Sequence, residues 1–229
     1  MVDTAGVRRP RRPLPRLAVV VCLAAFAASA CAGGGYHYVK SSEGQSYFRI
    51  PDRWQLFDHD QLLAADASLS PDEADYLKSI SWEVLFDGRP HSHLSSVKGF
   101  EQAQAPMGQA LVSLLTPTAA DGVSTGQLRN LLYPVDSLIQ QDEQDPLPIP
   151  RATVIDYQTV DFKGGFHGIH MVVRLRPNTT SRSVTIDQVS VVDNQLTRLY
   201  VMVVGCRSTC YEKQHTKIEN AVDSWTVRK

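Results

Sequence analysis

The chain has 229 residues, with 23 basic and 24 acidic side chains and a formal charge of −1. Without residues 1–30, which hold five arginines and Asp3, that charge becomes −5. A chain so balanced does not bind nucleic acid by releasing counterions, and net charge alone does not hold it on an anionic membrane.

The N-terminus reads as an export signal. Arg8, Arg9, Arg11, Arg12 and Arg16 precede an uncharged, mostly apolar run from Leu17 to Ala30. That run is shorter than the roughly 20 residues a spanning helix needs. It ends in Ala28-Ser29-Ala30, followed by Cys31. A basic region, a short apolar region and small residues together predict a secretory signal peptide over residues 1–30. Cleavage after Ala30 with a free Cys31, or an uncleaved anchor, are the alternatives. The paired arginines leave general-secretory and twin-arginine export both open. Ala32-Gly33-Gly34-Gly35 then reads as a tether, so residues 31–35 link any anchor to a folded region over 36–229.

Tyr38 to Ile50 holds two strand-like runs around Glu43-Gly44, and Pro51 to Trp54 stops the second, with the tryptophan turned back on the core. Asp60–Ala67 reads as a helix. Ser70-Pro71-Asp72-Glu73 predicts another, running to about Ser79, with an N-cap serine and proline at the first position. Ser81–Phe86 reads as a strand, His91 to Ala105 as a loop, and Ala110–Leu115 as a strand. Ser124 opens a helix carrying Leu128, Leu131 and Leu132, ended or bent at Pro134, with Val135–Gln141 as its resumption. Gln140 to Pro150 reads as an exposed loop.

The last third is the most regular. Strand-like runs cover Val154–Phe162, Gly168–Leu175, Ser183–Val192 and Leu199–Cys206, separated by Gly164-Gly165, Pro177-Asn178 and Asp193-Asn194. In the second run Ile169, Met171, Val173 and Leu175 alternate with polar or mixed positions, which gives one apolar face. The fourth, apolar on both sides, reads as a covered central strand. A final helix puts Tyr211, Ile218, Ala221, Val222 and Trp225 near one stripe. The expected class is α+β: one antiparallel sheet of about six to eight strands with helices packed on it, the C-terminal helix closing the sheet.

Among the cysteines, Cys22 leaves with the signal. Cys206 and Cys210 flank Arg207-Ser208-Thr209 where strand gives way to helix. In an oxidising space they are expected to form a structural disulfide, with Arg207 pushed out to solvent. A redox pair would have two intervening residues and a thioredoxin-like setting.

No Gly-x-Ser-x-Gly, His-Glu-x-x-His or phosphate-cradling glycine loop is present. His91-Ser92-His93 could offer two imidazoles to a metal, or be a solvated loop. His167 and His170 fall on opposite strand faces and cannot chelate together. Asp156, Asp161 and Asp187 lie on strands and could meet across the sheet as acid–base carboxylates, or stay solvated. Asn178-Thr179-Thr180 matches a glycosylation acceptor, discounted for a bacterial signal.

Two resemblances add to this. The small residues before Cys31 resemble a bacterial lipoprotein signal, with Ala28 where that family usually has leucine. The resemblance implies that Cys31 is acylated, palmitate among the chains, and becomes the mature N-terminus. The opening hairpin, Pro51 to Trp54, the closing meander and Val222-Asp223-Ser224-Trp225 resemble the PsbP-like α/β/α sandwich, more narrowly the actinobacterial envelope lipoproteins that carry it. That implies a binding or assembly role with no shared catalytic site and no cofactor. The expectation is a non-catalytic module at the extracytoplasmic face of the cell membrane, held by its lipid and meeting a protein or envelope component. A ligand-binding or hydrolytic protein using a cleft between the sheet and the middle segment is the alternative.

Overall fold

The computed structural model describes residues 35–43, 45–97, 99–176 and 181–228. The expectations for residues 1–30, Cys31 and the tether as far as Gly34, Gly44 of the first turn, and the Pro177 to Thr180 segment lie outside them.

Two antiparallel sheets form. The small one pairs β1 (Tyr36–Lys40), β2 (Ser46–Pro51) and β10 (Thr226–Val227) in the order β1-β2-β10. The large one has seven strands in the order β3-β4-β5-β9-β8-β7-β6. These are β3 (Gln55–Phe57), β4 (Ser81–Asp87), β5 (Met107–Leu114), β6 (Ala152–Phe162), β7 (Phe166–Leu175), β8 (Val184–Asp193) and β9 (Arg198–Arg207). The expectation of one sheet is thus corrected to a main sheet and a separate hairpin sheet. Trp54 sets the break: its ring is buried and stacks on Phe86 at 5.8 Å, so the chain leaves β2 turned onto the core.

β6 to β9 form the expected meander, each strand antiparallel to the next. Gly164 and Gly165 close the first hairpin at φ 96° and 83°, backbone values that side chains disfavour. β9 lies between β5 and β8 and is buried from Tyr200 to Cys206, as two apolar faces require. Gly168 brings β7 and β8 close together, since a Cβ there would strike the Ser190 carbonyl. A register shift between Val154 and Asp156 marks a bulge in β6.

Both faces of the large sheet are covered. On one side lie the hairpin sheet and α6 (Ser208–Asp223), with Phe48, Ile50, Phe86, Tyr200, Met202, Ile218, Val222 and Trp225 in a common core. On the other, Ile169, Met171, Val173, Ile186 and Val203 meet Leu128, Val135 and Leu138. The latter three come from α4 (Thr125–Arg129) and α5 (Val135–Gln144). The fold is α+β with an antiparallel sheet between packed layers.

Capping chemistry places the first helices. α1 (His59–Ala65) begins at Asp58 and α2 (Pro71–Ile80) at Ser70, each with a reciprocal capping box. α3 (Pro117–Asp121) is capped by Thr116. Three expectations are corrected in the middle of the chain. The Ser124 helix stops at Arg129 and does not carry Leu131 or Leu132. There Asn130 Nδ2 donates to the Gly126 carbonyl and Asn130 Oδ1 accepts from Asp136 N, while Arg129 pairs with the Asp136 carboxylate. Those bonds hold the bend that Pro134 requires of its predecessor. The loop expected from Gln140 begins only after Gln144, because Asp142 is drawn into the fold by Arg151. The segment from His91 to Ala105 contains two short 3-10 turns, Leu94–Ser96 and Phe100–Gln102.

Candidate functional site

Under α6 the sheet carries a polar cluster built from four elements. Asp187 on β8 and His170 on β7 are diagonal neighbours, since His170 faces Val189 and Asp187 faces Val172. His170 Nε2 lies 2.7 Å from Asp187 Oδ1. Its other nitrogen, Nδ1, is 3.0 Å from Gln158 Nε2 on β6. Tyr211, in the first turn of α6, donates its hydroxyl to Asp187 Oδ2 at 3.3 Å. Asp187 is 2% exposed and would be costly to bury without these donors.

The cluster favours a charged imidazole. The bond to Asp187 raises the His170 pKa above its ordinary value, against the opposing effect of burial. Burial, then the Asp187 charge, raises that of the Tyr211 phenol. The amide of Gln158 can present nitrogen to a neutral imidazole or, flipped, oxygen to a charged one. Both ring nitrogens and both carboxylate oxygens are therefore engaged inside the protein. In this arrangement Nε2 is held by the buried Asp187 and Nδ1 by the exposed Gln158.

The expected carboxylate meeting takes a different form. Asp156 lies on the same face as His170 and adds to its positive charge preference. Asp161 pairs opposite His167, on the other face. Among the described residues, Asp187 thus bonds to a histidine and a phenol in place of a second carboxylate. Of His91-Ser92-His93, the serine hydroxyl donates to Asp87 Oδ2 at 2.8 Å while both histidines are exposed.

Cys206 and Cys210 are joined, with Cα atoms 5.9 Å apart. The tight turn between them is the first turn of α6. Arg207 is corrected: it is half-buried, and its Nε donates to the Glu101 carbonyl at 3.1 Å while its backbone N–H donates to the Ala103 carbonyl. The middle segment therefore docks on the strand end through that side chain. Beside it, a cleft of about 260 Å³ is lined by Asp87, Arg89, Gln102, Gln104, Met107 and Arg207. Its carboxylate is already taken by Arg89 and Ser92.

The second feature is the outer face of the hairpin sheet. Val39, Phe48 and Ile50 point into the core. Tyr36, Tyr38 and Lys40 therefore point outward, opposite Pro51, Arg49 and Tyr47. Tyr38 is 79% exposed and Tyr36 40%. The Arg49 guanidinium sits 4.6 Å from the Tyr36 ring centre, and Lys40 and Arg228 flank Tyr47 at 5.6 and 5.5 Å. Tyr38, Tyr47, Arg49 and Ser224 line a shallow concavity of about 560 Å³ there. Sequence reasoning passed over this face. The signal was present as Tyr-x-Tyr-x-Lys opposite Tyr-x-Arg, a period of two on paired strands.

No protein-family model matches the sequence, and no curated protein matches it. The cyanobacterial PsbP (CyanoP) of Synechocystis is similar with a TM-score of 0.45 at 10% identity, over 87% of this chain and 96% of that one. The Ran-binding protein Mog1p of Saccharomyces cerevisiae is similar with a TM-score of 0.40 at 12% identity, over 85% of this chain and 96% of that one.

Proposed function

We propose that the protein is a lipid-anchored, non-catalytic binding or assembly module at the extracytoplasmic face of the cell membrane. The observation that carries the reading is the contrast between a closed interior and an open surface. The best-placed acid–base pair among the described residues, His170 with Asp187, spends all its hydrogen-bonding atoms on itself, Gln158 and Tyr211. The exposed chemistry is aromatic and cationic, the composition of a surface that docks on a protein or a membrane and not of a reaction centre. Cys31 supplies the anchor and residues 1–30 the export signal. The Cys206–Cys210 bond is structural, fixing where α6 leaves the sheet. A ligand-binding or hydrolytic role in the cleft beside Arg207 is the second reading, and the commitment of Asp87 to Arg89 argues against it.

Fractionation of cells producing Cys31→Ala tests the anchor. Wild type is expected in the membrane fraction and the variant in the soluble extracytoplasmic fraction. A variant that has lost residues 1–30 and still stays with the membrane as fully as wild type refutes the lipid. Crosslinking of the lipidated protein in native membranes, followed by pull-down, tests the binding role. Adducts to a protein or envelope component are expected, and their absence at every exposed lysine overturns it.

A further inference from the structure

We propose that the outer face of the hairpin sheet is a membrane-contact surface, which lays the domain flat on an anionic bilayer. This deepens the reading above and rests on it for the anchor. The occupant follows from chain length and from charge. Only the tether separates Cys31 from Tyr36, so its contour spans at most about 18 Å. An acyl chain on Cys31 therefore holds β1 beside the headgroups, whatever path the tether takes. The face that begins on this strand has the composition that bilayer interfaces favour. Tyrosines sit at headgroup depth with an apolar ring and a polar tip, and cations are drawn to anionic lipid.

The arrangement is tightly matched to that use. Tyr36, Tyr38 and Tyr47 are interleaved with Lys40, Arg49 and Arg228 on one exposed surface. The register positions facing outward carry no carboxylate: they are Tyr36, Tyr38, Lys40, Tyr47, Arg49, Pro51 and Thr226. Glu43, in the turn at the end of the hairpin, is drawn aside to Arg198 at 2.7 Å. The shallow concavity beside Tyr38 is open to solvent and is lined by Val39 and Phe48 as well as by Tyr38, Tyr47 and Arg49, so it offers apolar surface beside the cations. A protein with an overall negative charge thus carries a local cationic face on the strand that follows its anchor in sequence. Lipid chains hold the protein at the membrane, and the face sets its orientation, leaving the opposite side of the large sheet directed away.

The test uses the full lipidated protein, purified and reconstituted into vesicles of phosphatidylcholine alone or mixed with phosphatidylglycerol. Tyr38→Trp is the reporter. Ile155→Trp, at the exposed bulge in the edge strand β6 and at the other end of that strand from Phe162, is the control. In mixed vesicles the emission that position 38 adds to that of Trp54, Trp82 and Trp225, read as the difference from wild type, is expected to shift to the blue and to be quenched by brominated phosphatidylcholine, with the difference for the control unchanged. Lys40→Glu with Arg49→Glu should abolish the shift while the protein still sediments with the vesicles. Equal quenching at both positions, or none at position 38, overturns the proposal. So does a shift seen in native membranes and absent from protein-free vesicles, which would assign the face to a protein. Loss of sedimentation for Cys31→Ala reads the anchor separately, so an orientation failure and an anchor failure are distinguishable.

Discussion

Trp225 is the side chain on which the closing of the fold can be tested. It follows α6, is 3% exposed, and fills the junction between the helix end, the hairpin sheet and the end of β6. Its ring meets Phe162 edge-on at 5.8 Å, and its indole N–H donates to Ser46 Oγ at 2.9 Å. Trp225→Ala removes the ring from a packed site that can collapse only in part, which costs about 3–5 kcal/mol. Trp225→Phe keeps much of the volume and the aromatic contact. It strips the buried Ser46 hydroxyl of its donor, at about 1–2 kcal/mol. Urea denaturation followed by circular dichroism, with the slope checked for constancy, gives both numbers. For a domain of this size the alanine variant should melt about 6–20 °C lower. An alanine loss within about 0.5 kcal/mol, the size of a surface change, would refute the burial argument. Equal losses for Phe and Ala would refute the assignment of most of the energy to the ring.

Two further outcomes follow from the polar cluster and the cysteines. The folded state raises the His170 pKa above its unfolded value, so its stabilisation is complete below about pH 6.5 and is lost as pH rises through the folded pKa. The difference in urea midpoint between wild type and His170→Gln should therefore shrink as pH rises from mildly acidic to alkaline; a difference that is flat, or that grows, would refute the charged pair. Comparing the two proteins cancels His59, whose pKa is lowered by burial and whose pH dependence has the opposite sign. Replacing Cys206 and Cys210 together by serine should cost about 2 kcal/mol, the contribution of a short loop, and thiol titration of the unfolded wild type without reductant should find neither cysteine free.

Much of this architecture is local information. The alternation of Ile169, Met171, Val173 and Leu175 set one face of β7, and those four residues are indeed buried together. The doubly apolar run around Tyr200 to Val204 marked the covered strand, and Ser70 with Glu73 marked a helix start that closes as a capping box. These signals act within a few residues, where spacing and backbone preference suffice. The tertiary structure alone decided the rest. It joined β10 to β2 across the whole chain, which split off the hairpin sheet and exposed the tyrosine face. It brought Gln158, His170, Asp187 and Tyr211 together from four elements, turning a helix-stripe tyrosine into a donor for a buried carboxylate. It stopped the Ser124 helix through Asp136, and it drew Arg207 onto Glu101, more than one hundred residues earlier. Each of these depends on which strands lie side by side and in what register. That choice is made by the summed burial of two sheet faces, a quantity that no single segment of sequence contains.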